Sequence, residues 1–548
     1  MTKTRIRTKT TRTRAKALRT RAPSRSAGRN RRSVETTLEE LKHRLREIGD
    51  LDAAGALLGW DQATYMPPGG APARARQGAI LRRLSHERSV DPALGRLIDE
   101  LLPHADGLSY DTDDASLIRV ARRDFEKAIK VPAAFVARAN ALRSASFDAW
   151  TRARPANDFA TMLPFLERNL ELSREYADFF RPYDHIADPL IDDADEGMTT
   201  ASVRTLFAGL RSALVPMVHA ISEQAPTDDS CLHGVFAEAT QLDFSRTIAE
   251  RMGYDLQRGR LDTTHHPFCT KFSIGDVRIT TRVYESDIGQ ALFSTLHETG
   301  HALYEQGVSA ALEGTPLGYG TSAGVHESQS RLWENVVARS RKFWQHFYPL
   351  LRKAFPDRFG PVALDTFYRA VNKVERSLIR TEADEVTYNL HIMLRFDLEL
   401  QMLDGRLPVK DLPEAWREGM RADLGLVPPD DRDGCLQDVH WCSGAIGGAF
   451  HSYTIGNVLS AQFYAAAIEA HPEIPGEIEQ GRLGTLHGWL SDRIYRHGRK
   501  YQPSELVKRA TGRLMNTEPY LSYLHTKFGE LYRMPPLQAA GVAASPVL

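Results

Sequence analysis

Cysteine is scarce: four among 548 residues, Cys231, Cys269, Cys435 and Cys442, with no Cys-x-x-Cys pair. That excludes a disulfide scaffold and a zinc ribbon, and it fits a reducing compartment and a cytoplasmic location. No run of eighteen uncharged apolar residues occurs, so a transmembrane helix is not expected and no membrane partner is implied. Net charge is also missing, with 70 Lys+Arg against 70 Asp+Glu, but the balance is uneven along the chain. Residues 1–33 hold 13 Lys/Arg and no acid, which leaves 57 basic against 70 acidic residues in the remainder, a balance of −13. An acidic body argues against nucleic acid as a main partner and confines any weak binding of that kind to the basic tail. The tail lacks an apolar stretch that would make it a secretory signal, and it has little to bury. It is expected to be a disordered extension, with a single domain over 34–548 whose last residues, from about 534, are loose.

What remains is ordinary globular material, 42% hydrophobic and 26% charged, long enough for one large enzyme. Apolar residues at helical spacing (Leu38, Leu41, Leu45, Ile48, Leu51) predict a helix over Thr36 to Leu57, and Pro67-Pro68-Gly69-Gly70 predicts a stop. Helical patterns return through 73–102, 114–153, 158–181 and 200–224. One segment differs. From Asp276 to Tyr284, Val277, Ile279, Thr281 and Val283 alternate with Arg278, Thr280, Arg282 and Tyr284, the period of a strand. Helices then dominate to about residue 533. The expected fold is mainly α, a large helical body with a small sheet just before residue 290.

The segment Leu292 to Gln306 contains His297-Glu298-Thr299-Gly300-His301 inside a helical pattern. Two histidines four apart leave one helix face and can hold one metal ion. Glu298, one position round, can reach a water beside that ion without ligating it. Two imidazoles and a carboxylate suit Zn²⁺, with a fourth position for water, and Co²⁺ or Mn²⁺ are the alternatives. Gly300 costs about 1 kcal/mol against Ala in a helix, so it predicts close approach of another segment. No His lies six residues beyond His301, so a His-only ligand set is excluded. The third ligand is expected from Glu327, 26 residues after His301, or from Glu334, one heptad further on. Gly318, Gly320 and Gly324 mark the intervening turn.

These residues resemble the carboxypeptidase Taq family of metallopeptidases over about residues 35–535. The match extends to His266-Pro267-Phe268, Asp276-Val277-Arg278-Ile279-Thr280, His326-Glu327-Ser328-Gln329, Ile379-Arg380-Thr381-Glu382-Ala383-Asp384 and Gly434 to Trp441, and to the early Trp60-Asp61-Gln62 to Gly69 segment. The resemblance implies a mostly helical, homodimeric metallocarboxypeptidase with a deep groove, a small antiparallel sheet beside the metal-binding helix, and Glu327 rather than Glu334 as third ligand. Two places depart from it, the basic tail over residues 1–33 and one later stretch. Where the family usually has Gly-Tyr-Phe-Pro-Thr-Tyr, this chain has Gly447-Gly448-Ala449-Phe450-His451-Ser452-Tyr453, one residue longer and without the proline.

Peptide hydrolysis assigns further expectations. Glu298 is the general base and then the acid for the leaving amine. A donor to the developing oxyanion is expected from Tyr453, with His440 as second candidate. A free α-carboxylate on a peptide substrate calls for an arginine fork, Arg380 first and Arg278 second. The strand beginning at Asp276 is expected to pair with substrate backbone, which predicts broad specificity. The Gly-x-Met-Glu-Asn element of related aminopeptidases is absent, while an endopeptidase with the same centre stays open. Arg331 occupies the position one turn beyond Glu327, so the acceptor that orients a ligand histidine is expected from Asp384 or Asp438.

Overall fold

Ser33 opens the first helix by accepting a hydrogen bond from the Thr36 amide, so the compositional break at residue 34 coincides with a helix cap. The computed structural model describes residues 33–534; the expectations for the basic tail and for the chain after Met534 lie outside the described residues. The first helix runs over Val34–Thr64 and carries Trp60-Asp61-Gln62 in its last turns before Pro67-Pro68 ends it. Two of the expected helices are each two. The 73–102 pattern divides into Ala71–Ser89 and Pro92–Asp106, and 114–153 into Asp113–Ala128 and Ala133–Ala153. Pro92 and Pro132 sit at the breaks, where a missing N–H and a restricted preceding residue favour a new helix start.

The Thr200–Ser222 helix is, among the described residues, the single one long and apolar enough to cross a bilayer. It serves instead as a core helix. Val203, Leu206, Phe207, Leu210 and Leu214 are buried, and Arg211 pairs with Asp397 and Asp423.

The sheet has three strands, β1 (Leu261–Thr263), β2 (Cys269–Ser273) and β3 (Asp276–Thr281), in the order β1-β3-β2. β1 pairs parallel with β3 and β2 antiparallel, so the sheet is mixed rather than antiparallel. β3 is central. Both of its edges are used, which removes it as a site for adding a substrate strand. It ends at Thr281 because Thr281 donates to the Ala291 carbonyl and the chain then turns through a Tyr284–Asp287 bridge. Val277 and Ile279 point into the main core, as the alternation requires.

That core also takes the Ile288–Gly307, Tyr388–Leu403 and Phe450–Ala470 helices, while a smaller cluster joins Leu38, Leu41, Ile98 and Ile118 of the N-terminal helices to Leu312 and Leu317. After the Ala323–Arg331 helix, Leu332–Val337 winds as a π-helix, with the Ala338 amide bonding to the Trp333 carbonyl.

Candidate metal centre

His297, Glu298 and His301 lie mid-way along the Ile288–Gly307 helix, which Asp287 caps by accepting from the Gly289 amide. The Ala323–Arg331 helix crosses it tightly. A Cβ at Gly300 would lie 2.5 Å from the Gln329 carbonyl oxygen and 2.6 Å from the Ser330 Cα, so the glycine is there for a backbone approach, as its cost in the sequence indicated. On the far side, a Cβ at Gly456 of the Phe450–Ala470 helix would collide with the side chain of Glu327. Three helices thus close on one another without side chains at the crossing points, and the crossing sets where Glu327 can sit.

The donor atoms converge. His297 Nε2 and His301 Nε2 lie 3.8 and 3.4 Å from Glu327 Oε2, and one atom from each residue falls within 4.8 Å of the others. The remaining polar atoms of these side chains are occupied. His297 Nδ1 is 2.9 Å from Glu334 Oε2, His301 Nδ1 is 2.6 Å from His326 Nδ1, and Arg331 Nε donates to Glu327 Oε1 at 2.7 Å. Two nitrogens and one carboxylate oxygen, each turned inward by a bond on its other side, fit a divalent cation.

The charges agree. Burial alone would raise the Glu327 carboxyl, but Arg331 first, then His297 and His301, hold it well below the usual carboxylate range. Glu334 is brought to about 2 against the same burial, mainly by His297 and Arg331. Burial lowers the His301 imidazole to about 4, which leaves it neutral, the form a ligand requires. Glu298 moves the other way. Burial lifts it to about 7, His297 opposes, and the nearby carboxylates of Glu327 and Glu334 add to the rise. A cation held by the three ligands would draw that value down.

Glu334 is therefore the acceptor that orients His297; it is not placed as a ligand. Neither expected aspartate does this work. Asp384 accepts from the amides of Glu375, Val386 and Thr387 and fixes a loop. Asp438 binds Arg380 at 2.7 Å and Arg395.

These residues open on a cavity of about 1120 Å³ lined also by His266, Arg339, Arg380, Tyr388, His440 and Tyr453. A second opening of about 700 Å³ reaches His301, His326, Glu327 and Tyr453 as well. After the unusual 447–453 stretch, Tyr453 lies in the first turn of the Phe450–Ala470 helix, with its hydroxyl 3.1 Å from His440 Nε2. His440 Nδ1 is 3.3 Å from Asp438 Oδ1, so Tyr453, His440, Asp438 and Arg380 form one chain of contacts. Arg380 lines the cavity, though its Nε and Nη2 are taken by Asp438 and its Nη1 donates to the Tyr388 hydroxyl at 3.0 Å.

Arg278 and Asp276 bind each other, at 2.8 Å, and Arg278 stacks on Trp60 and Phe272; neither residue lines the cavity. The run that does border the cavity is His265 to Cys269, leading into β2.

Comparison with known proteins decides the family. The model for carboxypeptidase Taq (M32) metallopeptidases matches residues 40–528. The chain belongs to the M32 metallocarboxypeptidases. Its similarity to thermostable carboxypeptidase 1 of Thermus thermophilus is 41% identity over 511 residues, covering 91% of this chain and 99% of that protein. Carboxypeptidase 1 of Bacillus subtilis is 35% identical, again across 91% of this chain and 99% of its own length. Among solved structures, the M32 carboxypeptidase from Deinococcus radiodurans R1 superposes with a TM-score of 0.88 at 51% identity, covering 91% of this chain and all of that one. As an M32 enzyme the chain is a metalloprotease of the carboxypeptidase kind, and a divalent metal is part of that identity.

Sequence reasoning passed over His326, Glu305 and Lys271. Glu305 had a signal, since it lies four residues after His301 on the same helix face. Lys271 had none, because only the tertiary fold brings β2 to that helix.

Proposed function

We propose that this enzyme removes C-terminal residues from peptides with a free C-terminus, with broad specificity, through one divalent ion held by His297, His301 and Glu327. The observation that carries this is the convergence of two Nε2 atoms and one carboxylate oxygen, with their other polar atoms engaged elsewhere. Zn²⁺ suits the donor set first, with Co²⁺ or Mn²⁺ as alternatives. When bound, the ion would supply a Lewis acid and make a nearby water acidic. Glu298, buried beside the ligands, takes a proton from the attacking water and returns it to the leaving amine nitrogen. Tyr453, held by His440, donates its hydroxyl to the oxygen on which charge develops. His440 acts in this arrangement by holding Tyr453. Arg380 reads the α-carboxylate: Asp438 fixes its orientation, and the Tyr388 hydroxyl on Nη1 is the partner a carboxylate would displace.

The size of the cavity and its mixture of charged, polar and aromatic walls support broad specificity. Family resemblance supports a homodimer, which light scattering on the purified protein checks, and the four free cysteines support a cytoplasmic setting. The decisive assay digests one peptide beside its C-terminally amidated twin. Stepwise loss of residues from the free form alone is expected. The second opening at the ligands favours one further activity, internal cleavage, and cuts inside both peptides would reveal it.

A further inference from the structure

Lys271 is a buried cation that hydrolysis gives no task. Its side chain is 7% exposed, and in β2 it bonds Glu305 Oε2 at 2.9 Å and also the Gly318 carbonyl. Glu305 is equally buried. Its other oxygen, Oε1, accepts from the Gly320 amide at 3.1 Å and lies 2.9 Å from His326 Nε2. His326 Nδ1 then meets His301 Nδ1 at 2.6 Å. A buried ion pair is rarely the most stable way to fill such a space, since apolar residues of similar volume do as well or better. Its position, two hydrogen bonds from a ligand histidine, suggests what it is for.

With one hydrogen on each imidazole, donors and acceptors along the chain permit one order. The Lys271 ammonium only donates, and Glu305, facing it, only accepts. His326 Nε2 must then carry the hydrogen that points at Glu305. With its one hydrogen on Nε2, His326 presents a bare Nδ1 that accepts, so His301 Nδ1 carries the next hydrogen. That leaves the lone pair on His301 Nε2, the atom facing Glu327. The opposite order would put a hydrogen on His301 Nε2 and remove it as a ligand.

We propose that Lys271, Glu305 and His326 are positioning residues that fix the tautomer and ring orientation of His301, presenting Nε2 to the metal. The inference rests on the reading of His297, His301 and Glu327 as ligands. It makes the two ligand histidines unequal: Glu334 orients His297 directly, whereas His301 is oriented through a second imidazole and an ion pair rooted in the sheet. The small sheet thereby has a part in the site, because β2 delivers Lys271.

The test measures zinc affinity of the full chain by chelator competition, the absorption bands of the Co²⁺-loaded protein, and melting of the metal-free protein. His326→Phe keeps a ring and removes the acceptor; zinc affinity is expected to fall about 10–100-fold and the cobalt bands to shift. His326→Asn sets an amide oxygen near the place of Nδ1 and should restore most of the affinity. Lys271→Met and Glu305→Gln should each weaken zinc binding by about 3–10-fold, at the low end of the range for such outer partners. A purely structural role would lower melting and leave affinity and cobalt bands alone. That pattern in His326→Phe, or in both Lys271→Met and Glu305→Gln should the phenylalanine variant not fold, overturns the inference. Failure of the ligand reading is distinct: the wild type would then bind no stoichiometric zinc, or His301→Ala would bind it as tightly as wild type.

Discussion

On one part of the cavity wall, two imidazoles and three carboxylates crowd together, with Arg331 as a buried counterweight; behind another, wall-lining Arg380 and the buried Arg395 share one carboxylate, Asp438. The first group is short of cations and its nitrogen lone pairs face inward, so it is completed by a positive ion. The second is complete in itself. Within the first group burial pushes each acid up, and the partners decide where it ends. Glu298, which has no salt-bridge partner, rises to about 7, while Glu334, bound to His297 and near Arg331, sinks to about 2. What a buried carboxylate touches decides its charge, and its charge decides whether it can move a proton or hold a ring in place.

The largest expected effect tests the proton-moving acid. Glu298→Gln should lower kcat by about 10²–10⁴-fold while zinc stoichiometry, read by elemental analysis, stays at one per chain. Retained activity would remove Glu298 from the reaction. Asp438→Asn tests the self-contained group. It strands two buried guanidiniums, so chemical denaturation should show a loss of about 3–5 kcal/mol, and the wall holding His440 should loosen with it. Tyr453→Phe should cost about 10²-fold in kcat with KM little changed, because the hydroxyl is needed where charge develops. Glu334→Gln should weaken zinc binding about 10–100-fold and lower stability less than Asp438→Asn does, since the amide oxygen can still accept from Arg331 and Arg339. Equal losses of stability in these two variants would erase the contrast between the groups.

A further effect, spread over several pH units, concerns a third kind of acid. Glu399 accepts from the Trp441 indole at 2.8 Å and has no cationic partner within bonding distance; burial raises it from 4.5 to about 8 despite that bond. The folded protein therefore keeps a proton that the unfolded chain releases above pH 4.5. Its contribution to stability is complete below pH 4.5 and lost by about pH 8. Melting followed across that range should show the wild type losing ground steadily against Glu399→Gln, by a few degrees in total.

The two groups also differ in how much of them the sequence disclosed. His297, Glu298 and His301 follow from helical spacing within five residues, and Gly300 announced the neighbouring backbone by its cost. Glu327 was within reach because a glycine-marked return could bring a second helix back. Beyond that the signal weakens. Asp384 and Asp438 were plausible partners for a ligand histidine by type, but Glu334 was nearer in space, since a residue seven positions after Glu327 shares its helix face. Arg278 and Asp276 were read as facing substrate. Two positions apart on one strand, they share a face and satisfy each other, which alternation alone could not tell from facing a ligand. The sheet shows the same limit. Its period was visible, whereas strand order, and with it the loss of a free edge on β3, came from pairing with β1, a segment of three residues.

The widened turn over Leu332–Val337 has a consequence for how the enzyme can diverge. A π-helical turn accommodates one residue more than the ordinary coil, as though a single amino acid had been slipped in and kept. Removing one residue there would pull back the turn that follows, over Ala338–Ser340, drawing Arg339 off Glu334 while Glu327, upstream, stayed in place. The two duties of this stretch, furnishing a ligand and furnishing the support of another, can thus be altered one at a time, so descendants of this chain could retune the support without forfeiting the ligand.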